Sequence, residues 1–303
     1  MASSVSVLIP ARGDSPYISE TLQSIELNSL LPREVIIIDD GLTEVALSNI
    51  KVFHERLPVK IKKSEGNGLV DALNTGLRVA SEEFICRIDS DDLMLPERIK
   101  TQLNSLSLNS QLVAVGSQCV YINEDSTELS ISNYPVGNLN DNPEFQKKCL
   151  IAHPSTMYYL DSALSIGGYR SLFSWNGTDI AEDFDFWLRL SGIGQILITD
   201  QVLTKYRQHD KQISSISVYG QILGTPYISA INKSGQKTEP IKTIFVNNQS
   251  QMSQHYFRVI RNNLGLRAFF ASKLTLFSVR HLKWFGRGLL RRILLRILNL
   301  LDR

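Results

Sequence analysis

Asp89-Ser90-Asp91-Asp92 places three carboxylates within four positions of this 303-residue chain. Crowded in this way, they raise one another's pKa unless a cation sits among them. Hard oxygen donors with no Cys or His close in sequence favour Mg2+ or Mn2+, ions that keep positions open for phosphate oxygens. The bland alternative is a solvated loop whose Asp residues cap the following helix, and strings this short match by chance. A second acidic pair, Asp39-Asp40-Gly41, follows the apolar run Val35–Ile38. It suits either a strand-to-helix turn or acceptance of hydrogen bonds from a ribose or an imide N–H. Glu182-Asp183 precedes Phe184, Trp187, Leu188 and Leu190, as an acidic first turn favoured by a helix dipole would. Arg207-Gln208-His209 closes a strand-like segment, and His153-Pro154 and Trp175 stand where packing explains them about as well as chemistry does.

Positioning of these groups is read from the periodicity. Val5–Pro10 is a β-branched run of the kind that forms a buried parallel strand. Ser15-Pro16 predicts an N-cap and first helical position, with Ile18, Leu22 and Ile25 on one face. Strands are expected at Val35–Ile38, Val59–Ile61, Phe84–Ile88 and Leu112–Ile122. Helices are expected through Val45–Phe53, from Leu69 to Ala80 and after Pro96. Strands alternating with helices over about 120 residues imply a mostly parallel sheet with right-handed crossovers. In such sheets ligands bind at the carboxyl ends of strands, where Pro10, Asp39-Asp40 and Asp89–Asp92 all fall. Short strands near Thr156–Tyr159 and Val202–Tyr206 and a helix around Asp183–Leu190 complete a first region, 1–215. Residues 216–264 form an extension with no clear pattern, and 265–303 a tail.

The formal charge of +2 hides an asymmetry. Gly265–Arg303 carries nine Lys/Arg and one acidic residue, whereas the rest holds 23 basic and 29 acidic residues. On a helix, Arg292, Arg296 and Arg303 share a face beside Leu289, Ile293, Ile297 and Leu300. That pattern fits a helix lying on a membrane surface, cations toward anionic headgroups, ahead of a helix packed on protein. The tail is too apolar, and the body too acidic, for a nucleic-acid groove. No run reaches the roughly eighteen apolar residues of a membrane span, and a first strand at Val5 leaves no room for a cleaved signal peptide. Three scattered cysteines fit a reduced interior. The expected location is therefore cytoplasmic, peripheral to a membrane.

In order, SVLIPAR, VIIIDDG, NGLVDALNTGL, FICRIDSDDLMLPERIKTQ, AHPSTMYY, GGYR, AEDFDFWLRL and KYRQHDKQIS span about the first 210 residues. Together they resemble glycosyltransferase family 2. The resemblance implies a GT-A fold, a nucleotide-diphospho-sugar donor, Mn2+ or Mg2+, and transfer to a hydroxyl of a glycan or lipid-linked acceptor with inversion at the anomeric carbon. It assigns Pro10, Arg12, Asp39 and Asp40 to the nucleotide pocket, Asn74 and Arg87 to polar positions near the donor, and Asp89, Asp91 and Asp92 to the metal. It assigns the general base to Asp183, with Glu182 second, and gives Arg207 and His209 the diphosphate. Two departures lie beside the nucleotide pocket. Arg12-Gly13-Asp14 stands where many relatives have Tyr-Asn, and Leu42 where many have Ser. UDP is the default nucleotide, with dTDP and GDP open. A sugar-phosphate nucleotidyltransferase would want a glycine-rich phosphate loop, of which Arg12-Gly13 is a weak version. A non-catalytic sugar-nucleotide binder or membrane assembly partner is the remaining alternative.

Overall fold

A computed structural model describes residues 4–175, 177–210, 212 and 218–234. The tail 265–303 lies outside the described residues. The chain divides into two compact units, one of residues 1–170 and 186–212, the other of residues 171–185 and 213–303.

In the first unit the chain runs β1 (Val5–Gly13), α1 (Ile18–Glu26), β2 (Glu34–Leu42), α2 (Glu44–Lys51), β3 (Val59–Lys63), α3 (Leu69–Val79) and β4 (Phe84–Arg87). It continues through β5 (Leu93–Met94), α4 (Arg98–Leu108), β6 (Leu112–Ile122), β7 (Glu128–Ile131), β8 (Gly137–Asn138), β9 (Met157–Tyr159) and α5 (Leu160–Ser165). The ten-stranded sheet has the order β3-β2-β1-β4-β9-β6, followed by β12 (Gln195–Arg207) and β5, with β7 on β6 and β8 on β12.

The β3-β2-β1-β4 half is parallel throughout, as the alternating strands and helices imply. Beyond it the sheet is mixed, because β9 enters antiparallel between β4 and β6. Residues Val5–Ala11 of β1 are buried on both faces, which only a strand covered on both sides can be. Helix α3 lies close because Gly76 has no Cβ; one built there would stand 2.2 Å from a methyl of Leu8. The predicted stripe Ile18, Leu22 and Ile25 is buried. The predicted N-cap is displaced: α1 starts at Ile18, and Ser15 (φ 39°) sits in the turn before it, its Oγ buried without a partner.

In the second unit β10 (Ser174–Trp175) and β11 (Thr178–Asp179) form a short antiparallel hairpin. Helix α6 (Glu182–Leu190) begins there, its residues from Phe186 onward belonging to the first unit. Helix α7 (Val218–Ser234) occupies part of the segment that has no clear sequence pattern. Phe173 and Tyr227 pack with ring centroids 5.9 Å apart, and a Cβ on Gly224 would meet Ile180 at 3.0 Å.

Candidate functional site

Parallel neighbours β2, β1 and β4 end at one rim, with Ala11 opposite Asp39 and Leu8 opposite Arg87. The chain leaves β4 at Arg87, forms the acidic loop, and returns as β5, whose Leu93 and Met94 pair with Lys205 and Thr204 near the end of β12. That return sets the loop beside Arg207 and His209.

Within the loop, Asp89, Asp91 and Asp92 each offer an oxygen, all within 4.8 Å of one another. Arg87, 2% exposed, grips both oxygens of Asp89 at 2.7 and 2.5 Å. Burial works to lower its pKa, but the charge and hydrogen bonds of Asp89, together with the charges of Tyr169 and Asp92, outweigh it and the net shift is upward. Asp91 accepts from or shares a proton with His209 Nε2 at 2.8 Å. Asp92 is 1% exposed; its Oδ1 accepts from the Arg207 backbone N–H at 2.7 Å, and its Oδ2 is buried without a hydrogen-bond partner. Burial, then the neighbouring Asp91 and Asp89, push its carboxyl well above the usual carboxylate range. Three hard oxygen donors around an orphaned buried acceptor fit a divalent cation.

Along the rim, Asp40 accepts from Gly68 N–H with both oxygens at 3.1 Å and lies 3.6 Å from the exposed Arg12 guanidinium. Asp39 is turned onto its own backbone, accepting from Gly41 N–H at 2.9 Å and Leu42 N–H at 2.6 Å. Both residues lie at the end of β2, and Asp40 is the carboxylate held across to the α3 N-terminus. Pro10 is buried in β1 against Ile38.

Asn74 is committed to Tyr169, donating to its carbonyl at 2.9 Å and accepting from its N–H at 2.8 Å. The Tyr169 hydroxyl meets His153 Nε2 at 2.8 Å and Tyr158 at 3.1 Å, and its ring stacks on Phe186. Burial, with the Arg87 charge adding to it, lowers the His153 pKa strongly, so this histidine is a neutral packing residue.

Arg207 corrects an expectation. Its side chain is fully enclosed, and its N–H groups go to protein: Nε to the Asp91 carbonyl, Nη1 to Asn123, Glu124 and Ser126, and Nη2 to Glu20. A guanidinium so enclosed cannot also reach a diphosphate, whereas His209, 13% exposed, remains at the surface of the cluster.

The first turn of α6 carries Glu182 and Asp183, and Asp183 Oδ1 accepts from the Phe184 N–H at 2.7 Å. Ala181 just before them has φ 56°, a conformation an alanine holds only when its surroundings impose it. Fully buried Asp185 accepts from Asn232 of α7 at 2.9 Å. Glu20, Ser126, Tyr169 and Asn232 have no local sequence signature, since each acts on a partner distant in the chain. Trp175 lies in β10. Among the described residues no helix is long and apolar enough to cross a membrane.

The O-antigen biosynthesis glycosyltransferase WbnJ of Escherichia coli is 30% identical over 224 residues, covering 71% of this chain and 84% of WbnJ. Staphylococcus aureus TarS 1–349 in complex with UDP-GlcNAc shares the fold at TM-score 0.65 and 18% identity, over 93% of this chain and 76% of that one. The mannosyltransferase PcManGT of Pyrobaculum calidifontis, in complex with GDP-Man and Mn2+, does so at TM-score 0.58 and 15% identity, over 100% and 81%. The sequence signature of Glycosyl transferase family 2 matches residues 6–167, which include the strand ends and the acidic loop just described, and the chain belongs to that family.

Proposed function

We propose that this glycosyltransferase moves a sugar from a nucleotide-diphospho-sugar, UDP-linked by preference, to a hydroxyl of a glycan or lipid-linked acceptor, with inversion. The observation that carries this is the acidic loop at the carboxyl-end rim, with three converging carboxylates and a buried Asp92 oxygen lacking a partner. The UDP-GlcNAc complex of TarS and the GDP-Man and Mn2+ complex of PcManGT support the donor class and the metal. The name of WbnJ supports a role in surface polysaccharide synthesis.

Asp89, Asp91 and Asp92 would hold the cation, and His209 orients Asp91. Bound Mn2+ or Mg2+ supplies charge neutralisation for the departing diphosphate. Asp40 and Arg12 take the nucleoside end of the donor, beside Pro10. Asp183 accepts the proton of the attacking hydroxyl, and inversion is the outcome of a single direct displacement by that hydroxyl. The basic amphipathic segment 265–303 brings the enzyme to anionic lipid, close to a lipid-linked acceptor.

The test is calorimetric titration of UDP, dTDP, GDP and CMP with and without Mn2+, on the full chain and on Asp91→Ala. Binding of one diphosphate that needs both Mn2+ and Asp91 is the expected result. Folded protein that binds none of them in the presence of Mn2+ would overturn the reading in favour of a non-catalytic partner.

A further inference from the structure

Arg207 stands where four chain segments meet. Its own strand end supplies the backbone N–H that fixes Asp92, and its Nε fixes the carbonyl of Asp91 at 2.8 Å. Nη1 reaches the β6–β7 connection, at the Glu124 carbonyl and the Ser126 hydroxyl (both 2.9 Å) and the Asn123 carbonyl (3.2 Å). Nη2 reaches Glu20 in α1 at 2.8 Å, and the Tyr17 ring lies 4.1 Å beneath the guanidinium. Glu20 Oε2 also accepts from the Ser126 hydroxyl at 3.0 Å, so glutamate, arginine and serine close a ring. Ser126 holds φ 63°, left-handed backbone that a serine adopts only when its surroundings require it.

None of these outer partners belongs to the carboxylate cluster, yet each restrains the residue that shapes it. A planar fork with five donors can serve all of these acceptors together; a lysine ammonium cannot reach the same set. Groups that orient the ligands of a metal commonly govern its affinity nearly as strongly as the ligands do.

We propose that Arg207 is a positioning residue of the acidic loop, and that Glu20 and Ser126 set divalent-cation affinity through it. This rests on the metal reading of Asp89, Asp91 and Asp92. Glu20 acts by geometry: it holds the guanidinium at the angle from which Nε meets the Asp91 carbonyl. Charge alone does not account for its role, because exposed Glu124 adds a similar charge in the same neighbourhood without a side-chain bond to Arg207.

Mn2+ binding to the full-length protein, followed by the electron paramagnetic resonance of free Mn2+ without nucleotide, tests this directly. Arg207→Lys is expected to weaken Mn2+ binding about tenfold or more, the range for groups that orient metal ligands. Glu20→Gln is expected to weaken it about threefold to tenfold by the same route, and Glu124→Gln by less than about twofold, as a screened surface charge does. Adding Glu20→Gln to Arg207→Lys should cost nothing further, because the path is already cut. Should Arg207→Lys fail to fold, Glu20→Gln carries the test, since Glu20 is 47% exposed. Equal losses in Glu20→Gln and Glu124→Gln would reduce the effect to charge and overturn the proposal. So would Arg207→Lys that binds Mn2+ like wild type but loses UDP, which would make Arg207 a ligand contact. Wild-type protein that takes up no Mn2+, with Asp91→Ala unchanged, would overturn the metal reading together with this one.

Discussion

Gly168 and Asn74 offer a test of the packing behind the site, because one atom is responsible for both. Asn74 Oδ1 accepts the Tyr169 N–H, and a Cβ on Gly168 would stand 2.4 Å from that same oxygen. Asn74→Ala leaves the Tyr169 N–H and C=O without these partners on a residue 3% exposed, at about 1–3 kcal/mol each, or about 2–5 kcal/mol together once water recovers part. Gly168→Ala costs about 1–2 kcal/mol for its left-handed backbone, φ 68°. It must also evict the Asn74 amide, which breaks the same two bonds. The single variant is thus expected to lose about 3–7 kcal/mol. With the amide already gone, Gly168→Ala adds only the backbone cost, so the double variant falls short of the sum by at least about 2 kcal/mol. Urea unfolding of the four proteins, followed by tryptophan fluorescence, gives the cycle, Trp187 being fully buried. Additivity within about 0.5 kcal/mol would refute the shared-atom reasoning.

Two further outcomes are expected. Glu34 is almost fully buried and accepts from Ser6 (2.6 Å), Lys60 (2.6 Å) and the Ser81 N–H (2.8 Å). Burial pushes its carboxyl up, but these bonds outweigh burial and the net shift is downward. Its stabilisation is therefore present above the unfolded value of about 4.3 and is lost as pH falls through the lower folded value. The urea stability gap between wild type and Glu34→Gln should narrow below about pH 4, and a gap that stays constant into acid would contradict the assignment. Asp183→Asn keeps the shape and removes the basicity, so kcat should fall about 10²- to 10⁴-fold with little change in KM for the donor. A larger loss in Glu182→Gln than in Asp183→Asn would move the base to Glu182.

What could be read without a structure was whatever depends on neighbours in sequence. The apolar runs at Val5–Pro10, Val35–Ile38 and Leu112–Ile122 became strands, and the stripe Leu69, Leu73, Leu77 became α3, because burial on a sheet imposes those periods. The acidic loop was visible because its crowding is local. Ser15-Pro16 misled about the start of α1 because the φ 39° turn at Ser15 delays the helix by two residues. The antiparallel entry of β9 could not be seen, since three residues carry no pairing information. Asn74 lies 95 positions from Tyr169, Arg207 lies 187 from Glu20, and Asn232 lies 47 from Asp185. A polar side chain committed to a distant backbone looks, in sequence, the same as one turned toward a ligand. The diphosphate assignment of Arg207 came from the family resemblance, with no local pattern beside it to show these distant partners.

Three of the largest fully buried side chains are arginines, Arg87, Arg98 and Arg207. Arg98 donates to the carbonyls of Arg87 and Thr156, tying β4 to the start of β9 at the point where Arg87 itself donates its N–H to Thr156. Arg87, so anchored, grips Asp89, and Arg207 holds Asp91 by its carbonyl and Asp92 by its side chain. The Asp89 carboxylate thus answers to a guanidinium buried behind it, Asp91 is held at its carbonyl by the Arg207 guanidinium, the Asp92 carboxylate is held by the Arg207 backbone N–H, and Arg98 secures the strand from which Arg87 projects. Burying a guanidinium is costly unless its donors are met, and here carbonyls and carboxylates of the loop and its supports meet most of them. Three carboxylates left to themselves would swing apart to relieve their repulsion. Under the proposed metal reading, loop carboxylates held from behind would leave less reorganisation for a cation to impose. Arginines that face away from a ligand can therefore govern a ligand site as firmly as the acids that face it.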